Sequence, residues 1–337
     1  MNIDMTAMVL EEFGTSPVLR TVPVPEVGPG EVLVRVAASG VNPLDLKIVA
    51  GAAAHAQVDV PAVLGIDLAG EVVSVGKGID TFAVGDEVYG MTGGVGNVPG
   101  SLAEYVAVDA DLLAHKPSSL SMTEAAALPL AAITAWEALV DRGNVGPGDV
   151  VLVHGGAGGV GHLAIQIARA RGAKVYATGS PRSLEAIRAL GAEAIDYTTT
   201  SAEQYLQDAT GGDGFDIVLD TVGGKTLDDS FAVARRYTGR VVSILGWGSH
   251  SLAPLSFRGA SYSGVFTLLP LLTGQGRSHH GEILTHIAEL ADHGQLTPVV
   301  DETVFRLHEL AAAYDSLGSG TDTGKVVLTV RDAGSPV

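Results

Sequence analysis

The chain contains no cysteine. That absence removes a disulfide framework, a thiol nucleophile and any thiolate-held zinc. Cations are scarce too. Twenty Lys and Arg stand against 38 Asp and Glu, a formal net charge of −18, so nucleic acid and anionic membrane surfaces repel the chain. Any polyphosphate it binds must be held by a local set of N–H groups and a few cations. No apolar run reaches membrane-spanning length, because Asp, Arg, Lys or Gly interrupts every long one. The opening MNIDMTAMVLEEFG has neither the basic nor the apolar region of a signal peptide. A cytoplasmic protein with no membrane partner is expected.

What is present suffices for two domains. The chain has 337 residues, 46% of them hydrophobic and 17% charged, which is enough to build sizeable cores. Up to about residue 120 the grammar is β, with strand-like pieces at 32–36, 68–75, 86–89 and 103–108 separated by Gly and Pro. It changes after Pro117. Residues 118–140 are rich in Ala and Leu, and Ser121-x-x-Glu124 has the form of a capping box. Strands at 150–153, 174–178, 215–220 and 240–245 then alternate with helices at 163–171, 184–190 and 227–236. Fully apolar strands between helices predict a parallel sheet covered on both faces. Helices at 282–293 and 308–317 and a strand at 325–330 close the chain and return to the first domain.

Gly156, Ala157, Gly158, Gly159, Val160 and Gly161 fit G-x-G-x-x-G, with an apolar strand running in and a helical pattern running out. That context makes the pattern a dinucleotide turn. The first glycine permits the turn, the second lets the backbone approach a pyrophosphate, and the third lets the helix pack against its strand. After the second strand an NAD site carries Asp or Glu. Here Ser180 and Arg182 stand instead, a hydroxyl and a guanidinium suited to a 2′-phosphate. NADPH is the expected cofactor.

Several chemistries fail for want of residues. No Tyr has Lys four positions on, and neither G-x-S-x-G nor H-E-x-x-H occurs. His279-His280 is the one close histidine pair, and without carboxylates at ligand spacing it reads as surface. His154 reads as a packed strand-end histidine. No metal site is expected.

Residues 30–36, 39–47, 65–72, 85–88, 128–135, 154–161 and 324–328 together resemble the medium-chain dehydrogenase/reductase superfamily over nearly the whole chain. Asn42-Pro43-x-Asp45 with the 154–161 run is similar to its zinc-independent quinone oxidoreductase (zeta-crystallin-like) branch. Where zinc-dependent members carry Gly-His-Glu, this chain has Gly65-Ile66-Asp67. The resemblance implies an α/β fold, a doubly wound parallel Rossmann sheet over 123–269 plus a GroES-like β-barrel catalytic domain from 1–122 and 270–337. It implies hydride transfer from NADPH to a small quinone or enone. It places Asn42 and Thr134 near the nicotinamide and Tyr197 beside the 2′-phosphate. Asp220, Val222, Leu245, Gly246 and Trp247 fall at strand ends, with Phe266, Thr267 and Lys325 closing the crevice. Asp220 reads equally as a strand-end cap, Phe266 as core and Lys325 as a solvated lysine. The family's tyrosine after Asn-Pro is missing, since residues 46–60 hold no aromatic. Asn42, Asp45 and Lys47 are the catalytic candidates, Lys47 either stabilising an oxyanion or pairing with Asp45. Residues 262–266 read as the last Rossmann strand, whose exposed edge predicts a homodimer. A 2-enoyl-thioester reductase and a non-catalytic NADPH-binding protein, crystallin-like or regulatory, stay open.

Overall fold

The computed structural model describes residues 3–319 and 324–330. The chain divides into two compact units. The first takes Met1–Leu130, Leu268–Gly294 and Pro298–Val337, and the second takes Ala131–Thr267 with Gln295–Thr297.

The first unit is built on β1 (Asp4–Leu10), β2 (Val18–Pro23), β3 (Glu31–Gly40), β4 (Ala62–Val63), β5 (Asp67–Val75), β6 (Glu87–Met91), β7 (Tyr105–Asp109) and β8 (Leu113–His115). In β3 the alternation of the sequence becomes alternation of burial: Val32, Val34 and Val36 are enclosed while Leu33 and Arg35 are only half-buried. This strand is the hub of the larger sheet. It pairs antiparallel with β5 along its length and with β7 over Glu31 to Arg35. Its C-terminal end, Ala38 to Gly40, pairs with Val327–Thr329. β1 is the centre of a separate three-stranded sheet with β2 and β4. Among the described residues the larger sheet has free ends and does not close on itself, so the expected barrel is an open arrangement of strands. Helix α1 (Pro43–Val49) follows β3 directly, its first turn set by Pro43 and by the Asp45 carboxylate accepting from Asn42 N at 2.8 Å. Helix α2 (Met122–Ala126) starts at the predicted capping box, Ser121 N donating to Glu124 Oε2 at 2.8 Å. Helix α3 (Pro129–Trp136) comes next.

The second unit carries β9 (Val150–His154), helix α4 (Gly161–Ala170), β10 (Lys174–Gly179), β11 (Glu193–Asp196), β12 (Ile217–Asp220), β13 (Arg240–Ser243) and β14 (Ser261–Gly264). All are parallel, in the order β11-β10-β9-β12-β13-β14. The middles of β9, β12 and β13 are completely buried, as apolar strands covered on both faces must be. Leu152, Val218 and Val241 pack with Tyr176, Phe215 and Phe231 on one side of the sheet. Gln166 of α4 pins residues 295–297 to this unit, donating to Thr297 O and accepting from Thr297 N.

Three further expectations change. The last Rossmann strand is Ser261–Gly264, shorter than 262–266. The closing strand is Val327–Thr329, because Lys325 makes only an isolated bridge with Val300. The histidine pair separates: His279 is exposed, but His280 is fully buried among Ile283, Leu284 and Ile287 of the helix Arg277–Asp292. No helix among the described residues is long and apolar enough to cross a membrane.

Candidate active site

In the second unit every strand points the same way, so all six C-terminal ends line one edge of the sheet. The order reverses between β9 and β12, and α/β sheets bind ligands outside the strand ends at such a reversal. The β9–α4 turn stands there. A Cβ on Gly161 would lie 2.1 Å from Gly155 O, so helix and strand meet backbone to backbone. A Cβ on Gly158 would meet only Gly155 O, at 3.2 Å, and otherwise open space. The turn is tied to its neighbours: Gly156 N donates to Thr178 O of β10, and Thr221 Oγ1 donates to His154 O. His154 is buried beneath, its Nδ1 3.3 Å from Thr178 Oγ1. Burial pushes its pKa down to about 4, so it packs as a neutral ring. The amides ahead of a helix N-terminus lack intrahelical acceptors and see the positive end of the dipole. A pyrophosphate fits this backbone cradle, and Gly158 leaves the room for it.

The ends of β10 and β11 are neighbours, Gly179 pairing with Asp196. Ser180 follows the first and Tyr197 the second, with Arg182 in the short Pro181–Ser183 turn. Tyr197 is 60% exposed and Arg182 is exposed as well. A guanidinium, a hydroxyl and an open ring are therefore gathered at one corner, a donor set for a phosphate dianion.

Asp220, at the end of β12, does not point outward. Its Oδ1 accepts from Val222 N and Gly223 N and its Oδ2 from Ser243 Oγ, and it is fully buried. It is the strand-end cap that shapes the turn presenting Val222, which is exposed. Leu245, Gly246 and Trp247 follow the end of β13 in the chain. A Cβ on Gly246 would lie 2.2 Å from Tyr262 Oη. Trp247 stands edge-on to Phe266, ring centroids 6.5 Å apart, both partly exposed. Thr134 Oγ1 lies 3.1 Å from Thr267 Oγ1, which donates to Glu137 Oε2 at 2.7 Å.

The first unit holds a buried polar cluster that joins residues 283 positions apart. Lys325 Nζ donates to Asn42 Oδ1 and, at 3.2 Å, to Val41 O. Asn42 Nδ2 donates to Asp67 Oδ2 at 2.9 Å, and Leu130 N donates to Asp67 Oδ1 at 2.7 Å. Lys325 Nζ and Asp67 Oδ2 are 3.8 Å apart. Lys325 is thus buried and paired, and the solvated alternative falls. Asp45 is buried beside the cluster. Burial, with Asp67 adding to it, pushes its pKa up to about 7 against the pull of the Asn42 N–H and Lys325. The structure does not bring Lys47 to it. Lys47 is exposed, and two positions along a helix is the opposite face. Asp67, which sequence reasoning treated only as a missing zinc ligand, is the carboxylate that meets Asn42 and Lys325.

Beside α1 lies a cavity of about 480 Å³ lined by Phe13, Ile48, Ala53, Gln57, Asn97 and Leu272 among others. Its Asp59–Asn97 side is braced twice, Asp59 N donating to Asn97 Oδ1 and Asn97 Nδ2 to Asp59 Oδ2. Among the described residues no group of three or more His, Asp or Glu is placed to hold a metal ion, and the chain has no Cys.

Comparison with known proteins identifies the fold and the family. Residues 28–118 match the family model described as alcohol dehydrogenase GroES-like domain, and residues 190–328 match zinc-binding dehydrogenase. An NADPH-dependent alkenal/one oxidoreductase, chloroplastic, of Arabidopsis thaliana is 36% identical, over 96% of this chain and 79% of its own length. An alcohol dehydrogenase superfamily protein from Novosphingobium aromaticivorans has a crystal structure matching at TM-score 0.95 and 52% identity, over 97% of this chain and 100% of that one. The quinone oxidoreductase of Coxiella burnetii matches at TM-score 0.82 and 32% identity, over 98% of this chain and 100% of that one.

Proposed function

Because this chain belongs to the medium-chain dehydrogenase/reductase family, in its zinc-independent quinone oxidoreductase branch, we propose that it is an NADPH-dependent reductase of small quinones and enones. The observation that carries this reading is the β9–α4 turn at the strand-order reversal, with Ser180, Arg182 and Tyr197 at the next strand ends. In it the residues at 156–161 hold the pyrophosphate, Ser180 and Arg182 the 2′-phosphate, and Trp247 and Phe266 an aromatic wall. When bound, NADPH supplies the hydride. Quinones and enones spread the charge of an added hydride over a conjugated system, so they need no Lewis acid to accept it. The cavity beside α1 has the volume of a small-molecule site and small apolar walls at Ala53 and Gly51. It is the candidate seat for an acceptor ring. Among the described residues exposed β14 has β13 on one side only, and its Tyr262 is 40% exposed. This edge supports a homodimer, which light scattering on the purified chain tests.

The reductase reading is tested by NADPH oxidation with ortho- and para-quinones and an enone, with NADH in parallel. Turnover with NADPH and clearly weaker turnover with NADH is the expected result. Tight NADPH binding without turnover on any acceptor overturns the reductase reading, and equal use of NADH overturns the 2′-phosphate assignment.

A further inference from the structure

We propose that Asp67 is a positioning residue that fixes the Asn42 amide and the Lys325 ammonium in one arrangement for the cofactor. The inference rests on the NADPH-dependent reading above and on the family resemblance, which implies that Asn42 lies near the nicotinamide and that Lys325 helps close the crevice.

The argument is one of donors and acceptors. A lysine ammonium only donates and an ionised carboxylate only accepts. Asn42 lies between them, with Oδ1 to Lys325 and Nδ2 to Asp67. Either flanking group alone sets the amide's orientation, and the two together forbid a flip. Asn42, Asp67 and Lys325 are all buried, so water cannot stand in for a missing partner. Asp67 also supplies the ionised countercharge. The titratable groups facing Lys325 are Asp67 on β5 and Asp45 on α1. Tyr314, on the helix Leu310–Ser319, faces Asp45 in turn. Burial raises the pKa of both carboxyls; what singles out Asp67 as the ionised acceptor is geometry, since Asn42 Nδ2, Leu130 N and Lys325 Nζ all face it while the Asn42 N–H faces Asp45. Burial lowers the pKa of Lys325, and Asp67 is the largest opposing influence. Without Asp67, a buried lysine surrounded by neutral oxygens sheds its proton, and the amide loses the acceptor that orients it.

The test uses the whole chain labelled with 15N-lysine, the Lys325 Nζ signal being the one that Lys325→Met removes. In the wild type that signal is an ammonium at pH 7 and titrates on the alkaline side. In Asp67→Asn it becomes an amine at a pH lower by one unit or more. The alkaline limb of the kcat/KM profile follows it down, with kcat reduced on the order of 10–100-fold and a smaller change in NADPH Kd. Asp67→Glu, which keeps the charge, restores the alkaline limb. A wild-type Lys325 that is already neutral at pH 7 overturns the proposal even if Asp67→Asn does not fold. So does a folded Asp67→Asn whose Lys325 signal and pH profile are unchanged. If the wild type reduces no acceptor, the reductase reading fails, while the Nζ titration still decides the role of Asp67.

Discussion

Replacing Asp45 by Asn should stabilise the protein, and only above a definite pH. Asp45 is 1% exposed. Its Oδ2 caps α1, while Oδ1 has no hydrogen-bond partner among the described residues. Burial pushes its pKa from 3.8 to about 7. The sign follows from linkage. Below pH 4 the carboxyl is protonated in both folded and unfolded chains, and burial carries no ionisation cost. Between pH 4 and 7 the unfolded chain releases the proton and the folded one keeps it, so stability falls as pH rises. Above pH 7 the cost is complete, about three pKa units at 1.36 kcal/mol each, or about 4 kcal/mol. Asn keeps the acceptor for Asn42 N and never ionises. The gap between Asp45→Asn and wild type should therefore widen by about 4 kcal/mol from pH 4 to pH 8 and then stay level. For a unit of this size that is roughly 10 °C in Tm. Scanning calorimetry at pH 4, 5, 6, 7 and 8 on both proteins reads it, and the titrating groups that do not face Asp45 cancel in the difference. Parallel curves with a constant offset would refute the reasoning, because Asp45 would then titrate as an ordinary carboxyl.

The dinucleotide turn gives a pair of opposed variants. Gly161→Ala sets a methyl 2.1 Å from Gly155 O, so both melting temperature and NADPH affinity should fall. Gly158→Ala meets only Gly155 O, at 3.2 Å, a contact that a shift of a few tenths of an ångström relieves, so it should melt within a few degrees of wild type yet lose NADPH binding at least tenfold, as titration calorimetry would show. If Gly158→Ala binds normally, the pyrophosphate does not lie there. Arg182→Ala should weaken NADPH about tenfold, the loss of one charge-assisted contact, and leave NADH unchanged. Equal losses for both cofactors would place Arg182 elsewhere than at the 2′-phosphate.

The second unit was readable because its signals are local. Apolar strands alternate with helical stretches, and each glycine of the turn has a backbone reason within a few residues. Elements without a strong period escaped. The strand Glu193–Asp196 is only partly buried and does not alternate. The helix Ala202–Thr210 has few large apolar residues to announce it, although Ser201 and Gln204 form a capping box ahead of it. That signal was present in the sequence. So was the one for His280: Ile283, Leu284 and Ile287 fall three, four and seven residues on, an apolar helix face with the histidine on it. His279 and His280 are adjacent in sequence, yet adjacent helical residues face different ways, one to solvent and one to the core.

The catalytic side was far less legible, for a reason of distance along the chain rather than of residue type. Asn42 and Asp45 could be singled out from a short motif. What determines their chemistry is Asp67, which is 25 residues on from Asn42, and Lys325, which is 283 residues on. The sheet makes that meeting unavoidable: β5 and Val327–Thr329 both pair with the C-terminal end of β3, and Gly40 faces Asp67 on one side and Val327 on the other. Asn42 stands two residues beyond Gly40, and Lys325 two before Val327. The register of a single strand end thus sets a carboxylate and a cation on either side of one amide. Local pattern proposed Lys47 as the cation because it is near in sequence. Strand pairing sets Lys325 beside Asn42 instead, a lysine that the resemblance places at the crevice but that no local pattern ties to Asn42.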